Sequence, residues 1–184
     1  MHREGITGAG NAPATAPVPR NDRVPPHSEE AEQGVLGSVL LDAVRVMDIC
    51  VERQLSPDSF YVPAHRHIYE AMLDLSKEGG AIDVVTVAER LSRAELLEGL
   101  GGATLLDRLV DSTPTAAHAE YYIDIVRQKH LLRNIIGTAR DAERRCYDSD
   151  DDADLVLSSV EQAFMDVSGN QHGAAVPWAT AVNN

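Results

Sequence analysis

From Thr115 to Tyr147, apolar residues recur at helical spacing through more than thirty positions interrupted by one glycine, Gly137. The spacing predicts a single helix, roughly 45–50 Å long at 1.5 Å per residue, with Thr115 after Pro114 as its N-cap. At 100° per residue, Tyr121, Ile125, Gln128, Leu132, Ile135, Ile136, Ala139, Ala142 and Cys146 share a face about 120° wide. Lys129, Arg133, Arg140 and Arg144 form a cationic row beside it. The acidic run from Asp148 to Asp154 ends this helix and caps the next, Leu155 to Ser168, which carries Val156, Leu157, Val160, Ala163, Phe164 and Val167 on one side. Two helices joined by a short polar turn make an antiparallel hairpin. Such a pair cannot cover both apolar faces alone. A second hairpin across a two-fold axis would complete a four-helix bundle, with Leu132, Ile135, Ile136, Ala139, Val156, Val160 and Phe164 as the interface.

Upstream, the periods are shorter. Ser28 caps a helix whose first turn holds Glu29 and Glu30 and whose apolar side is Val35, Leu36, Val39 and Leu40. Gly34, Gly37 and Ser38 on that helix are small enough to admit another backbone. Val44 to Gln54 is a second helix, with Val44, Met47 and Val51 at helical spacing. Pro57 and Pro63 sit in first-turn positions, and the helix from Pro63 through Ile68, Met72 and Leu75 stops at Gly79-Gly80. The β-branched run Asp83–Val87 also suits a strand, but no second strand candidate exists to pair with it, so it is assigned to a helix ending at Leu91. Ser92-Arg93-Ala94-Glu95 has the form of a capping box, stapled by Leu91 and Leu96, for a helix ending at Gly99. Leu105, Leu106, Leu109 and Val110 define one more. The expected fold class is all-α: a compact helical head over 24–114 and a long antiparallel hairpin over 115–168. Residues 1–23 lack apolar periodicity and are expected to be a disordered arm, and 169–184 the start of a linker.

Composition narrows the function. With 29 acidic and 16 basic residues among 184, the formal charge is −13, the wrong sign for strong binding to duplex DNA by this piece alone. Cys50 and Cys146 each lie in an apolar helical pattern without CxxC spacing, and free buried thiols are expected. No apolar run approaches the ~20 residues that span a bilayer, and a cytoplasmic location is expected. GxxxxGK[ST], HExxH and GxSxG are all missing, so no catalytic residue, cofactor site or metal site is assigned. His65 and His67, two apart on a helix, point to different sides and are expected to be solvated or capping. Counted from Asp150, the acidic turn places Asp152, Asp154 and Glu161 at calcium-loop positions, but Leu155 stands where the bend needs glycine, which favours capping.

Several separate segments, in order, resemble the amino-terminal domain of the DnaB-type bacterial replicative helicases. They are Pro25-Pro26-His27-Ser28-Glu29-Glu30-Ala31-Glu32-Gln33, Val35-Leu36-Gly37, Leu40-Leu41-Asp42, Phe60-Tyr61 and His65-Arg66-His67-Ile68-Tyr69. Then come Ile82-Asp83-Val84-Val85-Thr86, Gly101-Gly102, Pro114-Thr115 and Tyr122-Ile123-Asp124-Ile125-Val126. The resemblance covers residues 24–168. It implies a collar domain of a hexameric, ATP-driven helicase, with ATP and magnesium held by a RecA-like motor beyond the linker. It also implies dimerisation through the hairpin, docking of primase and the helicase loader, and DNA held by the complete ring. Gly34, Met47, Leu105 and His118 stand where the family commonly has Ser, Trp, an aromatic and Asn. Leu105, with Lys129, Arg133 and Arg140 of the basic row, is the candidate partner-docking set. Two other functions fit the same residues: a small all-α hydrolase using a divalent metal at Asp148–Asp154, and a stand-alone helical adaptor.

Overall fold

The computed structural model describes residues 23–148 and 152–169, so all but the last residue of the expected arm and all but the first of the expected linker lie outside the described residues. Eight helices follow in order: α1 (Glu29–Leu41), α2 (Ala43–Glu52), α3 (Pro63–Lys77), α4 (Val84–Arg93), α5 (Leu97–Leu100), α6 (Ala103–Asp111), α7 (Ala119–Asp148) and α8 (Ala153–Gly169). Among the described residues there is no strand, and the all-α expectation holds.

The head is built around α1, whose residues Ala31, Gly34, Val35, Leu36, Gly37, Ser38 and Val39 are all buried. A helix hydrophobic on every side must be wrapped by others, and α2, α3, α6 and α7 all pack on it. Ser28 Oγ accepts from the Ala31 amide at 3.3 Å and starts the helix as its sequence requires. Two glycines make the wrapping close. A Cβ on Gly34 would lie 2.7 Å from the Tyr122 ring of α7, and one on Gly37 would lie 2.1 Å from Thr113 Oγ1 and 2.4 Å from the Leu109 carbonyl oxygen. Each missing Cβ therefore allows a neighbouring element to approach. Phe60, Ile68, Tyr69, Met72, Val87, Leu91, Leu106 and Leu109 fill the remaining core. At roughly 1.5–3 kcal/mol for each large side chain removed from water, this core is the main stabilising element of the head.

Several local expectations need correction. On α2 the buried residues are Val46, Met47 and Cys50, while Val44 and Val51 are exposed. The helix is apolar on both sides, so spacing allowed two registers, and packing against α1 selected the other one. The Ser92–Glu95 capping box does not form. α4 continues through Arg93, and Glu95 takes a left-handed conformation at φ 59°. The Leu96 amide then donates to the Leu91 carbonyl at 3.0 Å, so these residues close one helix instead of opening another. Only the short α5 remains before Gly101 and Gly102, at φ 111° and 71°. The Asp83 run is helical, with Asp83 Oδ1 accepting from the Thr86 amide at 2.8 Å and Thr86 Oγ1 accepting from the Asp83 amide at 3.0 Å. The long helix begins later than predicted. Thr115 caps a single 3-10 turn, Ala116–His118, and α7 starts at Ala119.

The cysteine expectation is half right. Cys50 is buried, but Cys146 lies exposed near the end of α7. Among the described residues, no helix is long and apolar enough to cross a membrane.

Candidate assembly interface

α7 changes character along its 30 residues. Its first two turns belong to the head: Ala119, Ile123 and Val126 are buried and Tyr122 covers Gly34. Beyond Val126, no residue of α7 or α8 that is described is buried. Leu132, Ile135 and Ile136 remain 40%, 38% and 37% exposed, and Phe164 of α8 37%. α8 packs back along α7, where Arg145 Nη1 donates to Ser159 Oγ at 3.2 Å, and Asp152 Oδ1 caps its start by accepting from the Asp154 amide at 3.2 Å. Val156, Val160, Ala163 and Val167 are only half-covered by this contact. An open groove of about 550 Å³ runs between the helices, lined by Ala139, Ala142, Cys146, Val156, Leu157 and Val160 with Glu143 and Ala153 at its edge. Apolar surface of this extent is the kind that a partner covers.

The hairpin is joined to the head by a charged cluster that spacing alone did not reveal. Glu32 is buried on α1, where its Oε1 accepts from the Tyr61 amide at 2.7 Å and its Oε2 from the Val62 amide at 3.2 Å. The same Oε2 lies 2.9 Å from Nδ1 of buried His65. Burial works to raise the Glu32 pKa, but the hydrogen bonds from His65, Tyr61 and Val62 outweigh it and hold the carboxyl below its ordinary value. His65 is thus a core partner of a carboxylate, correcting its assignment as solvated or capping. Both residues carried a signal. Glu32 stands four and seven positions before Leu36 and Val39, and His65 three and seven before Ile68 and Met72, so each lies on its helix's apolar face.

Arg133 grips the same loop from the other side. Its Nη1 donates to the Pro26 carbonyl at 3.0 Å and its Nη2 to the Ser59 carbonyl at 2.6 Å, while the guanidinium carbon lies 5.8 Å from the centre of the Tyr61 ring. Tyr61 in turn stacks on His27, with ring centres 4.2 Å apart. Burial lowers the Arg133 pKa and the field of Glu32 raises it. Arg133 is therefore committed to the head instead of standing in a free row. Arg144 pairs with Asp141 on its own helix. Among the described residues Lys129 and Arg140 have no ion-pair partner, and Leu105 is half-buried against the core edge. No group of three or more His, Cys, Asp or Glu residues converges as a metal site among the described residues, which exclude 149–151 of the acidic turn.

These elements match a known family over the head and the base of the hairpin. The profile described as the DnaB-like helicase N terminal domain aligns with residues 24–128. The chain belongs to this family. Among its relatives, the replicative DNA helicase DnaB of Geobacillus stearothermophilus is 40% identical over 155 residues, 84% of this chain and 34% of that protein. The replicative DNA helicase DnaC of Bacillus subtilis (strain 168) is 39% identical over 155 residues, with the same coverage of 84% and 34%. This DnaB-family chain thus spans about a third of the length of those relatives, 34% in each. The crystal structure of the N-terminal domain of DnaB helicase from Mycobacterium tuberculosis superposes with a TM-score of 0.73 at 39% identity, over 78% of this chain and 99% of that one. The structure of a DnaB-like replicative helicase and its interactions with primase shares the fold, with a TM-score of 0.63 at 24% identity, over 84% of this chain and 34% of that one.

The departures from the common DnaB pattern have visible surroundings here. Gly34 lies under the Tyr122 ring, Met47 is buried in the core, Leu105 packs at the core edge, and His118 closes the 3-10 turn before α7.

Proposed function

We propose that this chain is a collar domain of a ring-forming replicative DNA helicase, a non-catalytic module that assembles with copies of itself and docks partner proteins. The observation that carries the reading is the hairpin: α8 has no buried residue and α7 none beyond Val126, in a chain of the DnaB family. Leu132, Ile135, Ile136, Ala139, Val156, Val160 and Phe164 form the proposed surface for a second hairpin. The likeness to DnaB helicases, and to a helicase whose structure describes its interactions with primase, supports hexameric assembly and primase as a partner. The helicase loader is a further proposed partner, with Leu105, Lys129 and Arg140 as candidate contacts. In this reading the ring acts on DNA in the cytoplasm, and ATP and magnesium belong to a motor domain outside these residues.

Light scattering tests the assembly step. The native chain should exceed its monomer mass of 19.9 kDa, and Ile135→Asp or Phe164→Asp should return it to that mass, because a carboxylate placed in an apolar interface is desolvated without a partner. A native chain that stays monomeric at every concentration would defeat the proposal. Capture of the purified carboxy-terminal domain of primase by the native chain tests the docking step independently.

A further inference from the structure

Arg133 lies two turns beyond Val126, the last buried residue of α7. The acceptors of its shortest contacts come from two separate head segments: Pro26, ahead of α1, and Ser59, in the 3-10 turn Pro57–Ser59. All are backbone carbonyls, and Arg133 has no ion-pair partner among the described residues. Its other neighbours are the Tyr61 ring and, at 3.5 Å, His130 Nδ1, so this half-buried guanidinium has lost solvation without a carboxylate in contact and its bonds are specific in direction and modest in net strength. The loop it grips is fixed independently. Glu32 takes the amides of Tyr61 and Val62, and Arg66 Nη2 donates to the Phe60 carbonyl at 3.0 Å. Next to the grip, Arg23–Pro26 and the α7 residues Ile136, Gly137 and Arg140 leave an open cleft of about 630 Å³. A Cβ added to Gly137 would touch nothing within 4 Å. The Phe60–Val62 loop thus keeps ties that do not involve Arg133, and the hairpin has unfilled space beside it.

We propose that Arg133 is a latch: its bonds to the Pro26 and Ser59 carbonyls fix the direction in which the hairpin leaves the head, and releasing them lets the hairpin swing while both parts stay folded. Such a device sets how an interface on the hairpin is presented relative to the surfaces of the head, without forming part of the interface.

The latch can be read as an intramolecular distance. Cys146 is exposed and accepts a nitroxide label, whereas Cys50 is buried and its thiol is pushed up to about 12 by burial, so it stays unlabelled. A second label on exposed Lys77→Cys in α3 places a reporter on the head. The labelled full chain, diluted with unlabelled chain so that contacts between copies do not contribute, should give one narrow distance distribution by pulsed electron resonance. Arg133→Met should broaden or split that distribution while the circular dichroism and melting of the head stay close to native. Arg133→Lys, which keeps the charge but lacks the fork that bridges both carbonyls, should give an intermediate width. An unchanged narrow distribution in both variants would overturn the latch. Collapse of the head in both would also overturn it, because Arg133 would then be part of the fold's own core.

Discussion

Glu32 is a buried carboxylate that takes two backbone amides and an imidazole, and its environment makes a definite prediction. Replacing it with alanine leaves two amides and an imidazole without their acceptor inside the head, which costs on the order of 3 kcal/mol. Glu32→Gln keeps the shape and one acceptor oxygen and should cost less. Because the folded pKa is depressed below the ordinary 4.5, the stability that Glu32 contributes is fully present above that value and is lost as pH falls through the lower folded pKa. Urea denaturation from pH 7 to pH 3 should therefore show a steeper acid decline for the native chain than for Glu32→Gln. Parallel slopes would refute the assignment. The two thiols give a second test at this scale: in native buffer a thiol reagent should modify Cys146 rapidly and reach Cys50 only after denaturant is added. Helical spacing carried a signal for Glu32 and His65, yet His65 was expected to be solvated or capping; their partnership was not legible, because it joins residues 33 apart through a loop whose path spacing does not specify.

At the scale of the element, α1 and α7 show what periodicity can and cannot say. The small residues of α1 announced a close approach, and Gly37 with Thr113 provides it. Gly37→Ala should destabilise the head by about 1–3 kcal/mol through overpacking, since one of the opposing atoms is the Leu109 carbonyl oxygen and backbone yields poorly. A shift of the urea midpoint without a change in slope would show it. For α7 the predicted stripe was right about the residues left uncovered and blind to the others. Tyr121 was placed on the apolar face and is 66% exposed, whereas Ile123 and Val126, absent from that stripe, are buried. One helix serves the head with one face and leaves another free, and a single averaged stripe cannot represent two partners. The α4–α5 corner was misread for a related reason. A four-residue capping pattern fits a helix end as well as a helix start when the chain turns through a left-handed residue such as Glu95.

For the whole molecule, the all-α class, the head-then-hairpin order and the family were all legible, because each rests on many residues whose errors do not accumulate. The part of the tie between hairpin and head that lies beyond the buried first turns of α7 was not legible, because it runs through one guanidinium and distant backbone carbonyls. Charge also acts at this scale. With a formal charge of −13 and basic residues largely paired or scattered, the isolated chain should give no saturable binding to duplex DNA at physiological salt by fluorescence anisotropy. Tight binding there would contradict the reading of this piece as an assembly module.

Among the described residues all the buried side chains lie in the head and the first turns of α7, so the outer reach of the two long helices adds little to the head's core. Substitutions at its exposed positions leave the buried core of the head unchanged. If the proposed assembly holds, the contacts that join copies are in this way set apart from those that bury the head's core. A lineage could then revise how copies meet by steps that leave each head's core untouched.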